Sequence, residues 1–327
     1  MSKINVLHII PDQNNDVAQQ QLFTQLFTLH QNMSTDFVLQ ALIPAGSQPF
    51  KDIPSTTYAG LPELKRAIKQ AAPDIVHTHA SHELRLMAHK LGIGKTVHTQ
   101  HSAVSVGFFA KLGSANISNA LIASTREARE SLLQMGTPLQ KIRMVYNGVA
   151  AVEKQDGDAF RKRYDIPSDA FVVTCFASSK NSDILFDTAK ELPYNVIMLI
   201  ADTNQPTLQN VRIFDNAENI SELINNTNVQ IYLLSDDAHA KLFAGMSAGK
   251  PTITTKDFDP YIIEDNTNGL VIPSIGAEEL DDAITRLKED PPLYEKLSAG
   301  AARCYKERFS AQRMTRDIEK IYRSLLK

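Results

Sequence analysis

One rhythm constrains this chain more than any other feature: a short apolar run rich in β-branched residues, then a stretch with helical spacing, then another short run. INVLHII, FVLQALI, DIVHTH, KTVHTQ, NALIAS and IRMVYN read as strands. Between them VAQQQLFTQLFTLHQ, LPELKRAIKQAA, SHELRLMAHKLG and TREARESLLQMG place their apolar residues at helical intervals. Alternation of this kind builds a parallel sheet with helices on both faces. After Asn147-Gly148 comes a polar passage, AAVEKQDGDAFRKRY, which reads as a linker. The rhythm then restarts, with strands FVVTCFA, NVIMLIA, VRIFD, VQIYLL and KPTITT and helices SDILFDTAKEL, NISELINNT, HAKLFAGMSAG and AEELDDAITRLKE. The expected fold class is therefore α/β, with two tandem doubly wound Rossmann-like domains facing a cleft. The expected domains are 1–149 and 150–305, an ordinary division for 327 residues. The closing segment reads as a basic helix, 306–327, which either crosses back onto the first domain or stays on the second.

Composition excludes several classes. No apolar run approaches the ~20 residues that a membrane-spanning helix needs. The opening MSKINVLHIIPDQNND lacks the long apolar stretch and small-residue cleavage site of a signal peptide. Only two cysteines occur, Cys175 and Cys304, which argues against a disulfide framework and fits a reducing, cytoplasmic compartment. Charge is uneven. Residues 1–149 carry 13 basic and 9 acidic side chains, 150–299 carry 13 and 25, and 300–327 carry 8 and 3. This is either solvated surface or a basic first domain and tail suited to an anionic acceptor or to peripheral association with the inner face of a membrane. No basic stripe with interleaved aromatics supports a nucleic-acid partner.

From about residue 73 onward the chain carries, in order, DIVHTHASHE, KTVHTQHS, ALIASTREARESLLQMG, KIRMVYNGV, AGMSAGKP, IIEDNTNGLVIP and KERFSAQRM. As an ordered set these strings resemble glycosyltransferase family 4, the retaining, nucleotide-sugar-dependent enzymes of the GT-B fold. The resemblance implies an acceptor-side domain first, a donor-nucleotide domain second and chemistry between them. His101, after KTVHTQ, matches the family histidine beside the transferred sugar, and a neutral imidazole can both donate and accept there. Asn147-Gly148 matches a turn at the domain junction, where glycine would supply a positive φ. Ser235 to Ala240 matches the donor loop that opens a helix. Its residues Asp236, Asp237, Ala238, His239 and Ala240 would lie against the diphosphate, which a helix amino terminus suits. Asn268-Gly269-Leu270 resembles a nearby turn.

The sequence departs from the family pattern in three places. The family usually carries two glutamates separated by seven intervening residues around the donor loop; here Asp236 stands at the first and Ala244 at the second. A charge-assisted bond lost in this way costs ~1.5–3 kcal/mol. Where the family has an arginine and a lysine after the first strand of the donor domain, FASSKNSD offers Ser178, Ser179 and Lys180. The glycine-rich loop after the first strand is replaced by PDQNND, in which Asn14 and Asn15 tolerate left-handed backbone.

His77, His79 and His82 form an HxHxxH string. Two of them should share one side of a strand, but no cysteine or carboxylate converges on them, so they read as polar residues at strand ends rather than as a zinc site. No P-loop, GxSxG elbow or GxGxxG fingerprint is present. The sequence thus points to transfer of a sugar from a nucleotide-sugar to a glycan or lipid-linked acceptor. His101 and Asp236 would position the sugar, Lys180 and the 236–240 amides would clamp the diphosphate, and no metal or cofactor is required. The alternative is a non-catalytic GT-B scaffold that binds glycan or a partner glycosyltransferase. A third reading is a GT-B epimerase or phosphorylase.

Overall fold

The computed structural model describes residues 3–12, 16–50, 52–103, 117–176, 189–190, 195–200, 208, 210–213, 220–233 and 239–327, with backbone alone for 16–21, 195–200 and 213. The chain divides into two compact units, Met1–Gly148 with Ala311–Lys327, and Val149–Ser310.

The first unit is built on seven strands: β1 (Ile4–Ile9), β2 (Phe37–Pro44), β3 (Ser55–Tyr58), β4 (Ile75–His79), β5 (Lys95–Gln100), β6 (Ala120–Ala123) and β7 (Ile142–Met144). All pair in parallel in the order β3-β2-β1-β4-β5-β6-β7. The order reverses at β1, which lies between β2 and β4. Such a switch opens a crevice at the carboxyl ends of the strands. Helices α1 (Asp16–Asn32), α2 (Leu61–Ala71), α3 (His82–Leu91) and α4 (Arg126–Gln134) connect the strands. Local chemistry starts two of them: Ser81 Oγ accepts from Leu84 N–H at 3.3 Å, and Thr125 Oγ1 accepts from Ala128 N–H at 3.0 Å.

Period-two alternation sends each strand into two cores. Val6, Ile10, Leu39, Ile75, Val97 and Ile122 meet α1 residues Leu22, Leu26 and Leu29 on one face. Leu7, Ile9, Leu42 and Val76 meet α2 and α3 residues Leu64, Ile68, Leu84 and Met87 on the other.

The second unit has six parallel strands: β8 (Phe171–Phe176), β9 (Asn195–Ile200), β10 (Val211–Ile213), β11 (Val229–Tyr232), β12 (Thr252–Thr255) and β13 (Gly269–Ile272), in the order β10-β9-β8-β11-β12-β13. Its described helices are α5 (Asp158–Arg163), α6 (Ile220–Asn225), α7 (Ala240–Ser247), α8 (Ala277–Glu289) and α9 (Pro291–Cys304). The switch here lies between β8 and β11.

Two local expectations need correction. The closing helix does not begin at residue 306. A π-turn (Tyr305–Phe309) follows α9, Ser310 is extended (φ −73°, ψ 151°), and α10 begins only at Ala311 and runs to Leu325. Phe309 holds the break: its ring stacks on Phe243 at 4.1 Å and 4°, while Ser310 bridges to Val149. Beyond it, α10 joins the first unit and drives Met314, Ile318, Ile321 and Tyr322 into the α1 face of the sheet. Gly148 is not left-handed either; the glycines with positive φ are Gly46, Gly60, Gly92, Gly94, Gly136 and Gly249 among the described residues. Instead its N–H points at Met314 Sδ (3.1 Å), and Asn147 Oδ1 accepts from Gln25 Nε2, so side chains of α1 and α10 fix this turn.

Candidate functional site

His101 follows β5 directly, at the carboxyl edge of the first sheet. It is partly exposed, and its Nε2 lies 3.1 Å from His79 Nδ1 at the end of β4. Behind this pair the polar contacts continue inward. His79 Nε2 lies 3.0 Å from His8 Nδ1, and His8 Nε2 lies 3.4 Å from the Tyr322 hydroxyl. That hydroxyl is 2.6 Å from His77 Nδ1, and His77 Nε2 is 2.7 Å from Thr99 Oγ1. The register explains the gathering. His8 pairs with His77 across β1 and β4, and His79 pairs with Thr99 across β4 and β5, so their side chains share the face that α10 covers.

Burial disfavours the charged imidazoles. It pushes His8 down to about 3 and His101 down to about 4. His77 and His79 lie well below the usual histidine range, first through burial and then through their histidine neighbours. On the opposite face His98 is also held down to about 3 by burial. Its Nδ1 lies 2.9 Å from Thr78 Oγ1, its Nε2 lies 3.4 Å from Gln100 Oε1, and Gln100 Nε2 donates to Ser102 O.

His8, His77 and His79 each bring a ring nitrogen within 4.8 Å of the others, a grouping of the size that can hold a metal ion. His8 is the third member, not His82, which opens α3. The rings are stacked, His77 on His79 at 4.4 Å and 18°, His8 on His79 at 5.3 Å and 18°. His8 and His77 are tilted by 35°, but the His79 ring lies nearly parallel to both, so its in-plane lone pairs do not converge with theirs on one point. Every ring nitrogen of the three already faces a hydrogen-bond partner. The cluster is a hydrogen-bonded file rather than a convergent ligand set. HxH in β4 signals part of it. His8, Thr99 and Tyr322 carry no motif, and only strand register and the return of α10 reveal them.

In the second unit, His239 and Ala240 stand at the start of α7, as the helical spacing of HAKLFAGMSAG implies. Ala240 is exposed. His239 packs into aromatics: its ring stacks on Tyr232 (5.9 Å, 25°) and Phe243 (5.7 Å, 20°) and meets Phe258 edge-on (5.6 Å, 61°). Ala244, one turn further, is 8% exposed, and its carbonyl accepts from Ser247 Oγ at 2.7 Å. Asn14, Asn15, Ser178, Ser179, Lys180, Asp236, Asp237 and Ala238 lie outside the described residues. Asn268 is structural: its Nδ2 donates to Ile262 O and its Oδ1 accepts from Glu264 N–H, both at 2.8 Å.

A cavity of ≈ 610 Å³ in this unit is lined by residues including Lys154, Asn225, Lys250, Tyr294 and Ser298. It lies at the amino ends of β11 and β12, the edge opposite the one at which doubly wound sheets bind ligands. Gly249, at φ +70°, ends α7 beside it.

Comparison with known proteins follows this geometry. Residues 18–153 match the sequence profile of Glycosyltransferase Family 4. The lipopolysaccharide core biosynthesis glycosyltransferase LpsD of Rhizobium meliloti (strain 1021) is 29% identical over 167 residues, 46% of this chain and 48% of that protein. The chain thus spans about half the length of this curated relative. Among solved structures, a glycosyltransferase from Rickettsia africae ESF-5 superposes with a TM-score of 0.82 at 16% identity, covering 100% of both chains. The Anabaena protein HepE, in complex with UDP and glucose, superposes at 0.75 and 15% identity, covering 98% of this chain and 100% of that one. These likenesses, with two parallel doubly wound units, give the chain the GT-B fold.

Proposed function

We propose that this chain is a nucleotide-sugar-dependent glycosyltransferase that transfers a sugar, with retained configuration, to a glycan or lipid-linked acceptor. The observation that carries the reading is His101 at the carboxyl edge of a doubly wound sheet, its imidazole kept neutral and hydrogen-bonded from behind by His79. Departure of a nucleoside diphosphate leaves negative charge that fixed donors must stabilise. In this reading the amides of residues 236–240, which lead in sequence into α7, and the Lys180 ammonium supply them, aided by Ser178 and Ser179. His101 and Asp236 position the sugar. This reading calls on protein side chains and amides and requires no metal. The HepE complex with UDP makes a UDP-sugar the first donor to try, and the match to a lipopolysaccharide core enzyme supports a lipid-linked saccharide as acceptor.

A second reading, a non-catalytic scaffold, is favoured by one residue. Ala244 presents a buried methyl group where the family resemblance places a carboxylate. Titration with UDP-, GDP- and ADP-sugars at millimolar concentration separates the two. The enzyme reading expects heat and a raised melting temperature with at least one donor. Silence across the panel replaces it with the scaffold. For the active protein, His101→Ala is expected to lower turnover by about a hundredfold, the usual cost of losing one fixed donor at the reacting centre.

A further inference from the structure

We propose that the buried file His79–His8–Tyr322–His77–Thr99 is a one-way hydrogen-bond relay that fixes His101 as its Nδ1–H tautomer, so that His101 meets its ligand as a donor. The inference rests on the assignment of His101 to the site. Its chemistry follows from counting protons. A neutral imidazole has one donor and one acceptor nitrogen, and a phenol or alcohol has one proton to give. When such groups are joined end to end, every bond must point the same way. Reversing a single ring sets two N–H groups or two lone pairs face to face in the core, where unpaired polar groups are costly.

Two polarities are open to the file, and Thr99 decides between them. Its hydroxyl is buried, and His77 Nε2 is its one side-chain partner among the described residues. If Thr99 accepted from His77, its own buried proton would have no acceptor among the described residues. If it donates, every proton in the file is placed, and only hydroxyl lone pairs go unused. Thr99 O–H therefore donates to His77 Nε2, and His77 Nδ1–H donates to the Tyr322 oxygen across 2.6 Å. Tyr322 O–H donates to His8 Nε2, and His8 Nδ1–H donates to His79 Nε2. His79 Nδ1–H then donates to His101 Nε2 across 3.1 Å. His101 Nε2 is thereby committed as an acceptor, and its proton sits on Nδ1. Burial keeps the rings neutral, which the one-donor, one-acceptor rule requires. His101 is then a fixed donor toward a sugar oxygen and not a general base. His79, His8, Tyr322, His77 and Thr99 are positioning residues.

Free histidine favours the Nε2–H form, so four Nδ1–H rings make a distinctive signature. The test is two-bond ¹H–¹⁵N correlation spectroscopy of the full chain labelled with ¹⁵N-histidine at pH 7, assigned by single substitutions. Nδ1–H patterns are expected for His8, His77, His79 and His101. His98, whose Nε2 faces the Gln100 Oε1 acceptor, should show Nε2–H and serves as the internal reference. Thr99→Val should shift His101 toward Nε2–H or an averaged pattern, and Thr99→Ser should restore it. Tyr322→Phe, which keeps the ring and its packing, gives the same readout should Thr99→Val fold poorly. The proposal is overturned if His101 is Nε2–H in the unaltered protein. It is equally overturned if His101 holds Nδ1–H in both Thr99→Val and Tyr322→Phe, or if the file binds one equivalent of Zn²⁺ with loss of the pattern. An Nδ1–H file combined with silence toward nucleotide-sugars would support the relay while removing the proposed function.

Discussion

Gly300 shows how much a single missing side chain can hold. It lies in α9, and a Cβ built on it would collide with the backbone carbonyl of Thr267, beside the Asn268 turn. Alanine at a helical glycine normally gains about 1 kcal/mol. Here a backbone carbonyl cannot rotate away, and overpacking of this kind costs about 1–3 kcal/mol. Gly300→Ala is therefore expected to destabilise the second unit by about 2 kcal/mol, read as a lower urea midpoint with unchanged slope. An unchanged or higher midpoint would refute the close approach. Gly245 makes a similar approach to buried Gln230 from α7. In AGMSAGKP at least one small residue, Gly245, is thus present for packing. Ala244 differs: it is 8% exposed, so the methyl that stands where the family resemblance places a carboxylate is buried.

The element that organises the first unit is the last one in the chain. Helix α10 brings Met314, Ile318, Ile321 and Tyr322 against β1, β4 and β5, and Arg323 ties its solvent side to Asp36 at 2.8 Å. The exposed ion pair adds little; the apolar stripe supplies the stability. Ile318→Ala should cost the first unit about 2–5 kcal/mol. Hydrogen exchange should then accelerate in β1, β4 and β5 while β11 and β12 keep their protection. Equal acceleration in both units would contradict the division at Ser310. The break itself was illegible as sequence. AARCYKERFSAQRMTRDIEKIYRSLLK keeps helical spacing throughout, and only the stacking of Phe309 on Phe243 marks where one unit ends. Strand β3 was missed for a related reason. STTY lies at the sheet edge with only Tyr58 buried, so it shows no apolar run.

Across the whole molecule, the buried imidazoles make acid response uneven. His8, His77, His79, His98 and His101 all have folded values below the unfolded 6.5. Between 6.5 and the folded value, the unfolded chain binds more protons than the native one. The stabilisation is therefore complete above about pH 6.5 and declines as pH falls toward about 4 for His101 and about 3 for His8 and His98. Each such imidazole removes up to about 1.4 kcal/mol per pH unit in that window. The first unit should accordingly melt before the second at pH 5, whatever their order at pH 7.5. Calorimetry at the two values, with hydrogen exchange to identify the units, checks this; a second unit that melts first at pH 5 would refute it.

The alternation of strand and helix, written twice, was enough to establish two parallel doubly wound units. Side-chain period and local capping are properties of contiguous residues, and Ser81, Thr125 and Gly249 punctuate helices where local chemistry alone predicts it. His101 could be singled out by resemblance, and the shared side of His77 and His79 by strand period. Their partners could not. His8, Thr99 and Tyr322 are brought to them from three other elements by strand register and by a helix that returns after the whole second unit. Long-range pairing of that kind is chosen by the burial of both sheet faces at once, a condition no local stretch of residues contains.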